Sequence, residues 1–297
     1  MLTRTLSTLK MLQLRGGEAS KLELMKLMFL AKQGLDDNDT RSFYGFVPYH
    51  YGPYSFDLQR DTVKLTDQGY LLASGDKRLG LTDRGREKAQ SMKNDSLARA
   101  LLMTSMRNKK LSTDELLDKV YAQYPWYTVN TKRAGWDKPD RPVAAPAVYT
   151  VGYQGLQIDD FLDMLIRSGI QQLIDVRSNP VARRFGFHKS SLQRLLGHVG
   201  IDYLHVPQLG IPSSWRSSLE NDADYRNLFA RYTNEVLPAQ GNDVQDIARC
   251  IRERPSVLMC MEEYAGHCHR TRLGHEVQRL TGLKVEDLRG GQGWSIN

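Results

Sequence analysis

The stretch from Ser256 to Leu273, SVLMCMEEYAGHCHRTRL, gathers an unusual set of reactive side chains into few residues. Its apolar run Val257-Leu258-Met259 predicts a buried strand. Cys260, Glu262, Glu263, His267, Cys268, His269, Arg270 and Arg272 then crowd a short loop that leads into a helical pattern. A strand feeding a loop feeding a helix is where open α/β sheets bind ligands, because the helix start offers unpaired N–H groups and partial positive charge. Few structural roles call for a thiol, two imidazoles, a carboxylate and guanidinium groups at such a place. The pattern marks a site before it names a reaction.

Three chemistries fit these residue types. Cys268, beside two histidines and an arginine at a helix start, has the surroundings that lower a thiol pKa and make a nucleophile. Cys260, ending an apolar strand, is expected to pack as a small hydrophobe. An Asp-Val-Arg segment with a late cysteine resembles rhodaneses superficially, but the compact Cys-x5-Arg cradle of sulfur or phosphoryl transfer is missing. Metal binding is the second option. Cys260, His267, Cys268 and His269 are suitable donors, yet three of them are consecutive and no C-x2-C or H-x3-H spacing exists, so no metal is expected. The third option is carboxylate chemistry. Glu262 and Asp175 beside an arginine-lined pocket would serve as acid and base, or stabilise an oxocarbenium ion, in cleaving an N-glycosidic bond. The plainer alternatives are an Asp175–Arg177 ion pair at a strand end and Glu262 as a cap on the following helix. The residues specify no cofactor.

The elements that must position these groups follow from the pattern of apolar residues. From Ala147 onward, strands are expected over 148–152, 172–176, 203–206, 256–261 and 284–288. Helices are expected over 158–168, 188–198, 222–237, 244–253 and 269–281. The alternation predicts an α/β domain with a mostly parallel sheet and helices on both faces. In such a sheet the loops at the carboxyl ends of the strands lie side by side. Gly152 and Tyr153, then Asp175 and Arg177 with Arg183, Arg184 and His188 behind them, and the loop from Cys260 to Arg270 would share one crevice. Gly152 permits a tight turn or the close approach of a ligand. Arg177, Arg183, Arg184 and Arg270, with His267 and Tyr153, are the candidate contacts to a phosphate-bearing ligand.

These segments also carry a resemblance. Thr150 to Tyr153 (TVGY), Ile174 to Arg177 (IDVR) with basic and aromatic residues behind it, Tyr203 to Gly210 (YLHVPQLG), and the late Cys260, Glu262, Cys268, His269 and Arg270 occur in the order seen in domain-of-unknown-function family 488. The chain resembles that family over about residues 147–288. The resemblance implies an α/β fold and supplies no reaction, so the chemistry rests on the residues themselves.

The first half reads differently. A helix is expected over 3–14, a capping box at Ser20-Lys21-Leu22-Glu23 opening a helix to Gln33, and strand and turns through the aromatic run Phe43 to Tyr54. A helix over 55–67, strands over 69–72 and 78–81 with a turn at Ser74 to Lys77, and a helix from Thr82 follow. A helix, then a hairpin with a basic tip, resembles the wing of a winged helix-turn-helix, and KLELMKLMFLAKQ and YGPYSFDL are similar to such modules of phage- and antitoxin-associated proteins. That likeness implies nucleic-acid contacts by Arg60 and Lys64 on the helix and Lys77 and Arg78 on the wing. The alternative is a module used for protein contacts, its charges simply solvated. Helices over 94–107 and 112–124 form a connector. The proline-punctuated run from Pro125 to Pro146 contains Trp126, Tyr127 and Trp136, which are expected to pack against the neighbouring domain rather than stack on bases.

The expected organisation is a winged-helix domain over 1–93, a helical connector over 94–146, the α/β domain over 147–288 and a flexible tail over 289–297. Residues 1–140 hold 23 basic and 17 acidic side chains, so +6 of the net charge of +7 lies in the first half. That excess suits a polyanion, although it also suits an ordinary surface. The longest apolar stretch, Leu27 to Ala31, is far too short to span a bilayer, no signal segment opens the chain, and three cysteines make no disulfide framework, so a cytoplasmic protein is expected. Together these features suggest an enzyme with hydrolase- or glycosylase-type chemistry on nucleic acid, DNA in the first instance, or on a nucleotide. Asp175 and Glu262 would be the acid and base, with Cys268 or His269 assisting. The rival reading is a ligand-responsive DNA-binding regulator without catalysis, in a phage-defence or toxin–antitoxin setting.

Overall fold

The computed structural model describes residues 2–75, 77–216 and 222–289. The expected flexible tail lies outside them except for Arg289. Contacts divide the chain into two compact units, residues 2–140 with 158–163, and residues 141–157 with the described residues from 164 on. Among the described residues no helix is long and apolar enough to cross a membrane.

The first unit opens with α1 (Thr3–Leu14), a short β1 (Glu18–Ser20) that the sequence pattern did not announce, and α2 (Lys21–Lys32). Ser20 caps α2 by accepting the Glu23 N–H, but Glu23 does not complete the expected box and instead pairs with Arg15 at 2.6 Å. α3 (Asp37–Ser42) is an unforeseen helix, capped by Asp36. Of the aromatic run only β2 (Val47–Tyr49) and β3 (Gly52–Tyr54) are strand, paired as a hairpin. α4 (Phe56–Asp67), β4 (Leu71–Ser74), β5 (Arg78–Leu81) and α5 (Asp83–Gln90) complete this region, with β1, β5 and β4 forming a three-stranded antiparallel sheet. α6 (Ser96–Arg107) and α7 (Thr113–Gln123) pack their apolar stripes on the same core as α1 and α2. Ser112 and Glu115 make the full reciprocal box at the start of α7. The aromatics that follow are structural. Tyr127 meets Phe29 edge-on, Trp136 meets Tyr121 edge-on, and the Trp126 indole N–H donates to Asp163.

The second unit is built on β6 (Val148–Gly152), the last turn of α8 (Ile158–Arg167, whose residues 158–163 count with the first unit), β7 (Gln172–Asp175), α9 (Lys189–His198), β8 (Asp202–His205), α10 (Asp222–Arg231), α11 (Leu237–Ala239), α12 (Gly241–Glu253), β9 (Ser256–Cys260), α13 (His269–Thr281) and β10 (Val285–Asp287). Between α10 and α11 the chain makes a π-turn over Tyr232–Val236, so the single helix expected over 222–237 is interrupted. The five strands form an all-parallel sheet in the order β10-β6-β9-β7-β8, flanked by helices. The three central strands are buried along their whole length, as the continuous apolar runs require.

The order places the site. The connection leaving β7 runs to β8 on one side, and the connection leaving β9 runs to β10 on the other. The chain therefore parts between β7 and β9, opening a crevice at their carboxyl ends of the kind in which open parallel sheets hold ligands.

Candidate functional site

Two clusters stand at neighbouring strand ends. At the end of β7, Asp175 and Arg177 make a two-pronged ion pair. The Arg177 Nε donates to Asp175 Oδ1 at 2.8 Å and one terminal nitrogen donates to Oδ2 at 2.6 Å. The Tyr203 hydroxyl donates to the same Oδ2 at 2.7 Å. The other terminal nitrogen donates to the Phe187 carbonyl at 2.9 Å and to the Tyr153 hydroxyl at 3.2 Å. Tyr153 and Phe187 stack with centroids 4.2 Å apart, and His205 Nε2 lies 2.9 Å from the Arg177 carbonyl. Asp175 is 0 % exposed and Arg177 5 %, so every arm of the guanidinium is spent inside the protein. Burial works against the Arg177 charge, but the Asp175 carboxylate outweighs it and raises the pKa. Burial and the same carboxylate push the Tyr203 hydroxyl up.

Asp175 and Arg177, expected as an acid–base group and a phosphate ligand, are engaged with each other as in the plainer alternative. A carboxylate closed on two sides by a guanidinium and on a third by a phenol has no lone pair aimed at a substrate. Arg270, expected beside a phosphate, is engaged within the protein too. It is fully buried, donates to the main-chain carbonyls of Glu262 and Glu263, and lies 3.4 Å from Asp287. It holds the loop after β9 in shape. Arg183 and Arg184 are exposed, and Arg184 donates to the Leu156 carbonyl. Gly152 serves the backbone rather than a ligand. A Cβ there would stand 1.7 Å from the Glu262 carbonyl oxygen, so only glycine lets the loop cross the end of β6.

The second cluster follows β9. Cys260 ends the strand, Cys268 is the residue before α13, and His269 is the first residue of α13. The loop between them folds back so that the Cys260 and Cys268 sulfurs lie 3.0 and 3.1 Å from Glu262 Oε2. The same sulfurs lie 3.8 and 4.0 Å from His269 Nδ1. His269 Nε2 faces the Val176 carbonyl at 3.1 Å, which fixes that nitrogen as the donor and aims Nδ1 at the sulfurs. The expectation that Cys260 is merely a small hydrophobe fails here, because its Sγ is a member of the polar cluster. The donors Cys260 Sγ, Cys268 Sγ and His269 Nδ1 all lie within 4.8 Å of one another, a grouping able to hold a metal ion. Linear spacing hid it, since one donor comes from the strand and two from the helix start.

The charges are coupled. Burial works to raise the Cys260 pKa, but the Cys268 hydrogen bond and the His269 charge hold it well below the ordinary thiol value. Burial and its bond to Cys260 raise Cys268 instead. Burial, then the Cys260 charge, raise Glu262. Burial opposes protonation of His269, yet the Cys260 thiolate carries its pKa upward.

A cavity of about 530 Å³ opens on this cluster, with Glu262, Cys268 and His269 in its wall. His267 lines it as the sequence suggested, and Tyr225, Phe229 and Tyr264, which the linear pattern did not single out, join it. Tyr225 stacks with His267 (centroids 5.9 Å, planes 17° apart), Phe229 lies under the Arg272 guanidinium at 5.9 Å, and Tyr264 is 73 % exposed at the rim. Tyr225 and Phe229 sit on α10, some thirty to forty residues before the loop, and read in the sequence as ordinary helix aromatics.

In the first unit, Arg60 is engaged by Asp57 and Asp61, each at 2.8 Å, and Arg78 by Glu18 at 2.7 Å. Lys64 and Lys77 are exposed, on α4 and at the tip of the β4–β5 hairpin.

No curated protein matches this chain. The family resemblance expected over 147–288 is found over a shorter span that omits β6 and β10, both supplied by the flanking chain. Residues 157–276, which contain all four members of the thiol–imidazole–carboxyl cluster, match the family model Domain of unknown function DUF488.

Proposed function

We propose that the second unit is an enzyme domain that binds a nucleotide-like substrate in the cavity beside Glu262, and that Glu262 transfers a proton during hydrolysis. The observation that carries this reading is the joint placement of a half-buried carboxyl, a thiol and an imidazole in the wall of one cavity. The cavity's volume is ordinary for a small-molecule site. Its flat side chains, Tyr225, Phe229, Tyr264 and His267, suit a planar base. Arg272 over Phe229 suits the negative charge of a phosphate. A carboxyl whose pKa is raised by burial is closer to the poise an acid–base group needs at neutral pH.

The first unit, with α4 leading into the β4–β5 hairpin, fits a winged helix that docks the protein on nucleic acid. Lys64 and Lys77 are its freest cations among the four named from the sequence, because Arg60 and Arg78 are held in ion pairs.

The test is a panel of nucleosides and nucleoside monophosphates incubated with the full chain, read by product formation and by calorimetric binding. Glu262→Gln should bind the same compound and fail to convert it. Binding by neither protein would remove the substrate class, and full turnover by Glu262→Gln would remove the carboxyl's role. A second reading is favoured by the depth of the cluster, since Cys260, Cys268 and His269 are all buried. In that reading the cavity senses a ligand and the chain regulates DNA. Gel shifts on duplex DNA with and without the bound nucleotide separate the two, because a regulator changes affinity and consumes nothing.

A further inference from the structure

We infer that Cys260, Cys268 and His269 form a binding site for a zinc-like divalent ion. The donors lie close to the spacing that one requires, the sulfurs needing to approach the imidazole by only a few tenths of an ångström. Zinc bonds of about 2.3 Å to sulfur and 2.0 Å to nitrogen in a tetrahedron set neighbouring donors about 3.5–3.8 Å apart. The two sulfurs stand 3.8 and 4.0 Å from His269 Nδ1. The imidazole is already oriented as a ligand. Its Nε2 is anchored on the Val176 carbonyl, the outer-shell arrangement that fixes the tautomer of metal-bound histidines. Charge argues the same way. Two thiols and a carboxyl are packed around one imidazole in the interior, and a divalent cation would neutralise the thiolates there. Thiolate with imidazole selects a soft or borderline metal over magnesium or calcium.

Three protein donors are the number that catalytic zinc sites use, with water or substrate in the fourth position. Cys268, His269 and Glu262 line the cavity, so that position faces it. This half of the inference rests on the cavity being the active site proposed above. Water on the ion loses a proton to Glu262, and the hydroxide forms a bond to the electrophilic atom of the substrate. The bond to the leaving group breaks, and Glu262 returns the proton to that group, so one water is added overall.

The full chain is stripped of metal under reducing conditions, checked for native circular dichroism, and titrated with cobalt(II). The expected result is a thiolate-to-cobalt charge-transfer band with the strong visible bands of a tetrahedral site, saturating at about one ion per chain and displaced by zinc. Cys268→Ser and His269→Ala should weaken binding by at least ~100-fold, more than loss of an outer-shell partner does. Cys250→Ser should leave it unchanged. The wild-type titration needs no variant, so a folded protein without the band overturns the inference, as does a Cys260–Cys268 disulfide formed in place of metal binding. Glu262→Gln should keep the ion, and its loss there would make Glu262 a fourth ligand and remove the open position. An ion bound in a protein that binds no nucleotide would leave the metal site standing and overturn only the proposed substrate.

Discussion

The ends of β7 and β9 lie side by side and are built from similar materials, yet they do opposite things. Asp175 and Arg177 neutralise each other, and Tyr203, Tyr153 and the Phe187 carbonyl take up what hydrogen-bonding capacity remains. Glu262, Cys260, Cys268 and His269 contact one another and hold no arginine or lysine among the four. Their pKa values are pulled apart by burial and by one another, and the cluster meets a cavity. One end spends its charge on stability and the other keeps it available. Polar residue types alone do not separate these fates; what separates them is whether a buried ion pair closes the charges off or a cavity wall holds them. The two ends are joined through Val176, whose carbonyl orients His269 one residue after Asp175. The closed cluster thus serves as the mount for the open one.

The comparison makes sharp predictions. Asp175→Asn should lower stability by about 3–5 kcal/mol in urea unfolding, because it strands a buried guanidinium. A loss under about 1 kcal/mol would mean that the pair is not the buttress described here. Glu262→Gln should do the reverse, cutting turnover by about 10²–10⁴-fold while leaving unfolding within about 1 kcal/mol of the parent. Equal stability losses at both ends would erase the distinction. Gly152→Ala should cost about 1–3 kcal/mol and also weaken metal and ligand binding, since the added methyl meets the Glu262 carbonyl and must displace the loop. If cobalt and nucleotide bind that variant as they bind the parent, the loop is not held by this contact.

A buried cation in the first unit sharpens the contrast. Lys26 is 1 % exposed and has a carbonyl, that of Pro53 at 2.7 Å, where Arg177 has a carboxylate. Burial pushes its pKa down to about 7. Below that pH the folded and unfolded chains both carry the charge, and folding bears the full cost of burying it. As pH rises from about 7 toward the unfolded lysine value of about 10.4, that cost is relieved. Against Lys26→Met, the parent should therefore gain stability with rising pH, on the order of 1 kcal/mol per unit above pH 7. A flat difference between the two across pH 6–9 would show that Lys26 is not desolvated as described.

Much of this was legible in the chain itself. Local rules bound α1 and α13, where apolar spacing and flanking glycine leave little choice, and the continuous runs Val257-Leu258-Met259 and Leu173-Ile174 declared buried parallel strands. The loop after β9 was recognisable as a site from residue types. The miss at α3 was also local: Asp36 is an N-cap, but the polar DNDTRS that follows has no apolar stripe to reveal a helix.

What the sequence determined by itself is the set of elements and the presence of a reactive loop, because both depend on neighbours a few residues apart. Tertiary structure alone decided which polar groups are used up. Asp175 meets Tyr203 across adjacent strands, Arg177 meets Phe187 through a long connection, and Cys260 meets His269 only when the loop crosses Gly152. A charge is closed or open according to partners that meet only in the folded chain, from Arg177 beside Asp175 to Val176 facing His269, and no pattern of spacing encodes that sum.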